Sequence, residues 1–336
     1  MTPKSLIGLA VVTAAAVAAA VLVAGGSAAD SAVADRGRVL LPDLVQKADS
    51  VDSLAVTVGK DTTTLTRDGD RFVDASGYPA RIDSVRKLVA SLTTLTIDED
   101  KTNKPDRYAD LGLADPGAAA GAATRVALVD KAGKPVVAAL YAGTKDYTVG
   151  GSRGGQYVRL DGNPQSYLVR GSLDLPTVRA DWFDARITDI KPATLAKVTL
   201  TDASGATVDF VRTGDKLLPA ALPDGKAPDE GKANRVTAFL QGFDFTDVRK
   251  ETPASIGNTT RLRYETTDGL TVTATAVPAT DDAGKGWIRI VAEATDPKAA
   301  DAAKAINDKA AGYEFKVNTI HTEMFGWTVA SLGKDG

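Results

Sequence analysis

The feature that most constrains this chain is an internal echo. Tyr157-Val158-Arg159-Leu160 returns as Trp287-Ile288-Arg289-Ile290, and a glycine stands three places ahead of each aromatic, Gly154 and Gly284. Such a run alternates as a strand does, with the aromatic and the arginine on one face and the aliphatics on the other. The flanking segments echo in the same order. Val85, Leu88, Val89 and Leu92 match Val236, Phe239, Leu240 and Phe243 at an offset of 151, and Thr124 through Gly133 matches Thr260 through Gly269 at 136. The two strand runs are offset by 130, and Tyr167 and Trp182 are answered by Tyr313 and Trp327 at 146 and 145. Unequal insertions explain the drift: a long connection over 98–121 in the first copy and an alanine-rich stretch over 296–311 in the second.

A duplicated chain folds as two similar modules. In the first, 54–58 reads as a strand, 63–66 begins its partner, and Asp68-Gly69-Asp70 turns the chain into 71–73. Asp83 is placed to cap a helix whose apolar stripe is Val85, Leu88, Val89, Leu92 and Leu95, at spacings of three and four. Two hairpins follow, 125–129 with 136–141 and 147–149 with 157–160, and then a strand at 167–169. The second module repeats this order and adds a helix with Asp296 as cap, Pro297 in its first turn and Gly312 as its stop. Each module reads β-β-α-β-β-β-β, a mostly antiparallel sheet with one helix on a face, which is an α+β fold. The expected organisation is a membrane anchor over 1–27, a linker over 28–50, module one over 51–190 and module two over 191–333.

The anchor is the uncharged run 6–24, which as a helix spans roughly 28 Å, about a bilayer core. Lys4 and the terminal amine lie ahead of it, so the N-terminus is expected to stay cytoplasmic and the bulk of the chain to lie outside the inner membrane. The alternative is a signal peptide cleaved after Ala32-Val33-Ala34. Net charge of −3 gives no basic footprint for nucleic acid. The lack of cysteine excludes disulfides, thiolate metal sites, thiol catalysis and a lipoprotein anchor.

Few constellations suggest chemistry. Gly150-Gly151-Ser152-Arg153-Gly154 fits the G-x-S-x-G pattern, and His321, the only histidine, lies downstream. A nucleophile elbow needs a helix after the serine, whereas here a strand follows, so a hairpin tip is expected. One histidine does not make the commoner zinc catalytic sets, and His321 is expected to be partly packed or on the surface. Asp98-Glu99-Asp100 lacks the spacing of a calcium loop and reads as a solvated acidic turn. The pairs Asp106 with Asp110 and Asp281 with Asp282 have nothing to fix their separation. No enzyme activity, cofactor or metal is expected.

The remaining candidate is the repeated face of Tyr157 with Arg159 and of Trp287 with Arg289. Residues two apart on a strand are same-face neighbours, so a guanidinium can lean over the ring. These four residues are candidates for an interaction surface. The alternatives are a plain solvent-facing sheet and an interface between the modules.

The pattern resembles a bacterial family known as domain of unknown function 4340. The likeness rests on the N-terminal anchor followed by a strand pair, the helix stripe from Val85 to Leu95, and Tyr108-Ala109-Asp110-Leu111-Gly112-Leu113-Ala114-Asp115-Pro116. It continues through Gly143, the Gln156-Tyr157-Val158-Arg159 strand and Trp182. It covers about 50–332, less closely in the second module, and the insertion near 298–310 departs from it. The resemblance implies a membrane-anchored, exported protein encoded beside gliding-motility-type ABC transporter components. It implies an accessory or scaffold role with inner-membrane ABC transporter-type partners, and no catalytic residues. The alternative is a periplasmic ligand- or glycan-binding protein independent of a transporter.

Overall fold

The computed structural model describes residues 36–252, 257–279 and 285–334. The anchor run 6–24 and its charged flank lie outside them, as do Asp281, Asp282 and Gly284. Among the described residues no helix is long and apolar enough to cross a membrane. The chain divides into two compact units, Met1–Val178 and Arg179–Gly336.

In the first unit, β-branched and apolar residues alternate along β1 (Ser53–Val58), β2 (Asp61–Asp68) and β3 (Arg71–Val73). Helix α2 (Ile82–Thr93) follows a short α1 (Leu44–Lys47). Then come β4 (Thr96–Asp100), β5 (Thr124–Val129), β6 (Leu140–Asp146), β7 (Gly155–Leu160) and β8 (Ser166–Arg170). They form one eight-stranded sheet in the order β3-β2-β1-β5-β6-β7-β8-β4. Every pairing is antiparallel.

The second unit opens with β9 (Arg186–Thr188), then β10 (Leu195–Thr201), β11 (Thr207–Thr213) and β12 (Lys216–Pro219). After β13 (Ala227–Pro228) and α3 (Glu230–Ala238) come β14 (Phe243–Asp244), β15 (Asp247–Lys250), β16 (Arg261–Thr266), β17 (Leu270–Ala276) and β18 (Trp287–Ala294). Helix α4 (Ala300–Ala310) precedes β19 (Tyr313–Lys316), and the short α5 (Thr319–Thr322) and β20 (Gly333–Lys334) end the unit. Its main sheet runs β12-β11-β10-β16-β17-β18-β19-β15, the first unit's order strand for strand. The α+β class and the mostly antiparallel sheets of the sequence reading stand, and the shared topology carries its duplication. Each main sheet has three strands before α2 or α3 and five after it, so β-β-α-β-β-β-β undercounts. The difference includes β4, whose acidic Thr96-Ile97-Asp98-Glu99-Asp100 resembles a turn but pairs with β8.

Alternation sorts the residues of each sheet into two faces. On the helix face of the first unit, Leu54, Val56, Leu65, Val126, Leu128 and Val158 are all buried, as are Val85, Leu88 and Leu92 of α2. In the second unit Tyr264 marks the same face, and its hydroxyl donates to the Val236 carbonyl of α3 at 2.9 Å. Local detail departs from the sequence reading in several places. Arg81, not Asp83, occupies the cap position of α2. The partner of β5 begins at Leu140, and 147–149 is turn rather than strand. Strand register sets Val158 opposite Tyr167 and Ile288 opposite Phe315, so Phe315 and not Tyr313 answers Tyr167.

Both units share a leader that the sequence reading placed elsewhere. Residues 36–50 are not a free linker. Leu40, Leu41, Leu44 and Ala48 are buried, and Gly37 N–H and Leu40 N–H donate to the carbonyls of Ile97 and Leu95, at 2.7 and 2.8 Å. In the second unit β9 pairs with β14, and Ile190 N–H donates to the Leu240 carbonyl at 2.9 Å. Trp182 and Phe183 are buried in that leader, where Phe183 meets Phe245, which in turn meets Phe315. Trp182 therefore opens the second unit instead of closing the first, and the division falls after Val178 rather than after 190.

A fragment starting at 191 lacks buried Trp182, Phe183, Ile187 and Ile190. At about 1.5–3 kcal/mol each, that is roughly 6–12 kcal/mol of burial, comparable to a whole domain's stability. A fragment of 179–336 is expected to unfold cooperatively in urea, and one of 191–336 to show no cooperative transition by tryptophan fluorescence.

Candidate functional site

The echoed aromatic and arginine of each copy lie on the face opposite the helix, where each arginine is the centre of a polar cluster. Arg159 is only 8% exposed. Its strand neighbours are Tyr141 on β6 and Ser166 on β8. The guanidinium carbon lies 3.5 Å from the centroid of the Tyr141 ring and 4.9 Å from that of Tyr108. Its Nε donates to the Leu113 carbonyl at 2.9 Å, and its Nη2 pairs with Asp115. The Tyr157 ring is covered by Lys101 of the segment after β4, with Nζ 5.8 Å from the centroid, and not by Arg159.

The partners of Arg159 come from a cap, residues 101–123, that closes over this half of the sheet. Tyr108, Leu113, Ala123 and Tyr141 form its apolar centre, with Leu111 and Tyr157 packed against it. The Tyr108 hydroxyl donates to the Pro164 carbonyl at 2.7 Å. Two glycines permit the approach. A Cβ on Gly143 would stand 2.4 Å from the Leu111 carbonyl oxygen, and one on Gly121, where φ is +63°, would stand 2.2 Å from that of Ala109.

In the second unit the corresponding connection, 251–260, is short. Ser166 is replaced in register by Glu314, which is fully buried. Arg289 donates to Glu314 Oε1 through Nε at 3.0 Å and Nη2 at 2.8 Å, and its Nη1 pairs with Glu251 at 2.8 Å. The Thr252 N–H and hydroxyl reach the same oxygen at 3.1 and 2.9 Å, while Arg249 Nε donates to Oε2 at 2.8 Å. Burial pushes the Glu314 carboxyl up, but the hydrogen bonds from Arg289, Thr252 and Arg249 outweigh it and hold the group below the usual glutamate range. The Arg249 guanidinium lies 4.2 Å from the Trp287 ring centroid, the counterpart of Lys101 over Tyr157.

The expectation that Tyr157, Arg159, Trp287 and Arg289 form an outward interaction surface is thus corrected for three of the four. Arg159 and Trp287 are buried, and the Arg289 side chain is 14% exposed. Tyr157, half-buried, packs against the cap. Each arginine is satisfied inside its own unit. Asp98 is not a solvated turn residue either, because its side chain is 8% exposed and accepts from Arg36 and Arg170. Asp106 and Asp110 are both exposed, and Asp110 pairs with Arg107 at 2.6 Å.

Ser152 sits exposed in a 3-10 turn at the β6–β7 tip, with strand β7 after it, and His321 belongs to the other unit. His321 is partly packed, edge-on to Phe239 at 5.1 Å, with Nδ1 buried and unpartnered. Burial pushes its imidazole below the usual histidine range, and the Arg235 guanidinium adds to this. Among the described residues no group of acids and histidines is placed to hold a metal ion. Sequence reasoning missed Glu314, Arg249, Lys101 and the cap. The one local signal for Glu314 was an acid inside the strand-like Tyr313-Glu314-Phe315-Lys316.

Residues 71–262, more than half of the chain, match a family described as Domain of unknown function (DUF4340). No curated protein and no solved structure matches the chain.

Because the folded Glu314 titrates below its unfolded counterpart, it stabilises the second unit above the ordinary glutamate range. That contribution is lost as pH falls through its lowered value. All three tryptophans lie in this unit, so their fluorescence reports on it alone. Glu314→Gln leaves Arg289 and Arg249 without their shared anion and is expected to cost about 3–5 kcal/mol near neutrality. Urea titrations across a pH series should also show a shallower acid loss than wild type; equal slopes would remove Glu314 as its source. In the first unit, Gly143→Ala forces the cap off the sheet and is expected to cost about 1–3 kcal/mol, read by hydrogen exchange at 108–123.

Proposed function

We propose that this chain, which belongs to the DUF4340 family, is a non-enzymatic envelope protein acting as an accessory or scaffold subunit of an ABC-type export or envelope-assembly system. In this reading the run 6–24 holds it in the inner membrane and the two units lie outside the cytoplasm. The observation that carries the reading is the use made of the strongest ionic groups. Arg159, Arg289 and Glu314 tie connections to their own sheets, and Arg249 joins the Glu314 cluster within its sheet. A chain that fixes its charges internally and repeats one sheet twice offers rigid surfaces for docking.

One observation favours the second reading, a ligand- or glycan-binding protein independent of a transporter. A cavity of about 240 Å³ in the second unit is lined by Trp287, Phe325, Val277, Pro278 and Thr259. The Thr259 hydroxyl is buried there with no partner.

Crosslinking in intact cells followed by purification from detergent-solubilised membranes separates the two. The accessory role requires an ABC-type ATPase or permease to co-purify, and its absence from the crosslinked material would sink that role.

A further inference from the structure

The second unit carries a strand whose outer edge is longer than its partner. On its inner side β18 pairs with β17 along its whole length, from Ile288↔Ala276 to Ala294↔Leu270. On its outer side only Trp287 and Ile288 pair, with Lys316 and Phe315 of β19. In the first unit the equivalent β7 pairs with β8 over Gly155–Arg159, and the turn 161–165 joins them directly. In the second, α4 is inserted between the two strands.

Backbone groups of alternate residues point to the same side of a strand, so Ile290, Ala292 and Ala294 continue the outward set that Ile288 begins. Such an edge is a template for strand addition. Its residues do little to prevent this, since Ile290, Val291 and Ala292 carry no charge, Val291 is 53% exposed, and Glu293 is the one acid beside them. What stands there instead is Asn307 of α4. Its Oδ1 accepts from Ala292 N–H at 2.9 Å, and its Nδ2 donates to the Ala292 carbonyl at 2.8 Å. These are the two bonds a paired residue on an antiparallel neighbour would exchange with Ala292. The helix is fixed in place by buried Ala303, Ile306 and Ala310, and by Lys309, whose Nζ bonds Asp184 and the Arg186 carbonyl, both at 2.8 Å.

We propose that α4 is an edge guard: the Asn307 amide occupies the pairing groups of Ala292 and keeps β18 from adding the same edge of a second copy of this chain. Self-pairing of that edge is antiparallel and two-fold symmetric, centred on Ala292.

The test uses the full chain in detergent. Asn307→Ala should raise amide exchange at Ala292 at least tenfold and double the protein mass seen by light scattering relative to wild type. Adding Val291→Glu, which in the self-paired edge stands opposite Glu293 of the second copy, should return the mass to the wild-type value. An Asn307→Ala protein of unchanged mass overturns the proposal, whatever its exchange rate. So does a larger species that Val291→Glu leaves large, because that is aggregation of unfolded chain.

Discussion

A guanidinium on the covered half of a sheet must find its anion and its acceptors where it stands, and both units are arranged around one. Arg159 and Arg289 occupy the same position in the same topology and are satisfied in different ways. In the first unit a long cap brings a carbonyl, an aspartate and a tyrosine ring to the arginine. In the second, Glu251 and the Thr252 carbonyl reach the arginine from a shorter connection, and the sheet adds Glu314, buried with two arginines on it. The exchange of Ser166 for Glu314 and the length of the connection after β4 or β15 are two sides of one constraint. Arg159 is satisfied without a buried acid, whereas Arg289 takes Glu314 from the sheet in addition to Glu251 and the Thr252 carbonyl from its connection.

The parts of this fold that were legible in the sequence are those set by local periodicity. Alternation around Tyr157 and Trp287 marked the strands, the three–four stripe marked α2, and Asp296, Pro297 and Gly312 bounded the inserted helical segment. What stayed hidden depends on contacts between distant residues. Strand β4 carries three acids, and Asp98 is made tolerable there by Arg36 and Arg170, 62 and 72 residues away. The cap looked like a loose connection because its glycines matter only against the strand they touch. For the candidate site, the sequence located the two arginines but put them on the wrong side of the burial line. Same-face geometry places a neighbour without telling what covers it.

The leaders change how the duplication is drawn. Each repeat begins before its first long strand, with a segment that returns to pair beyond its own helix. Gly37 and Leu40 bond Ile97 and Leu95 in the first unit, and the segment from Arg179 to Ile190 bonds Val248, β14 and Leu240 in the second, so the apparent linker of one copy and the apparent tail of the other both lead into a sheet. A family match covering 71–262 crosses the unit boundary and takes in the second leader whole.

That leader also has a mechanical meaning. The chain enters the first unit antiparallel to β4, held by Gly37 on Ile97, Val39 beside Thr96 and Leu40 on Leu95. A pull on the chain ahead of Arg36, directed along the strand axis, loads these contacts together in shear instead of peeling them one at a time. Tension would thus pass into the middle of the sheet's edge, through backbone hydrogen bonds, before it reached the helix or the cap. A unit built this way resists being drawn out from its N-terminal end.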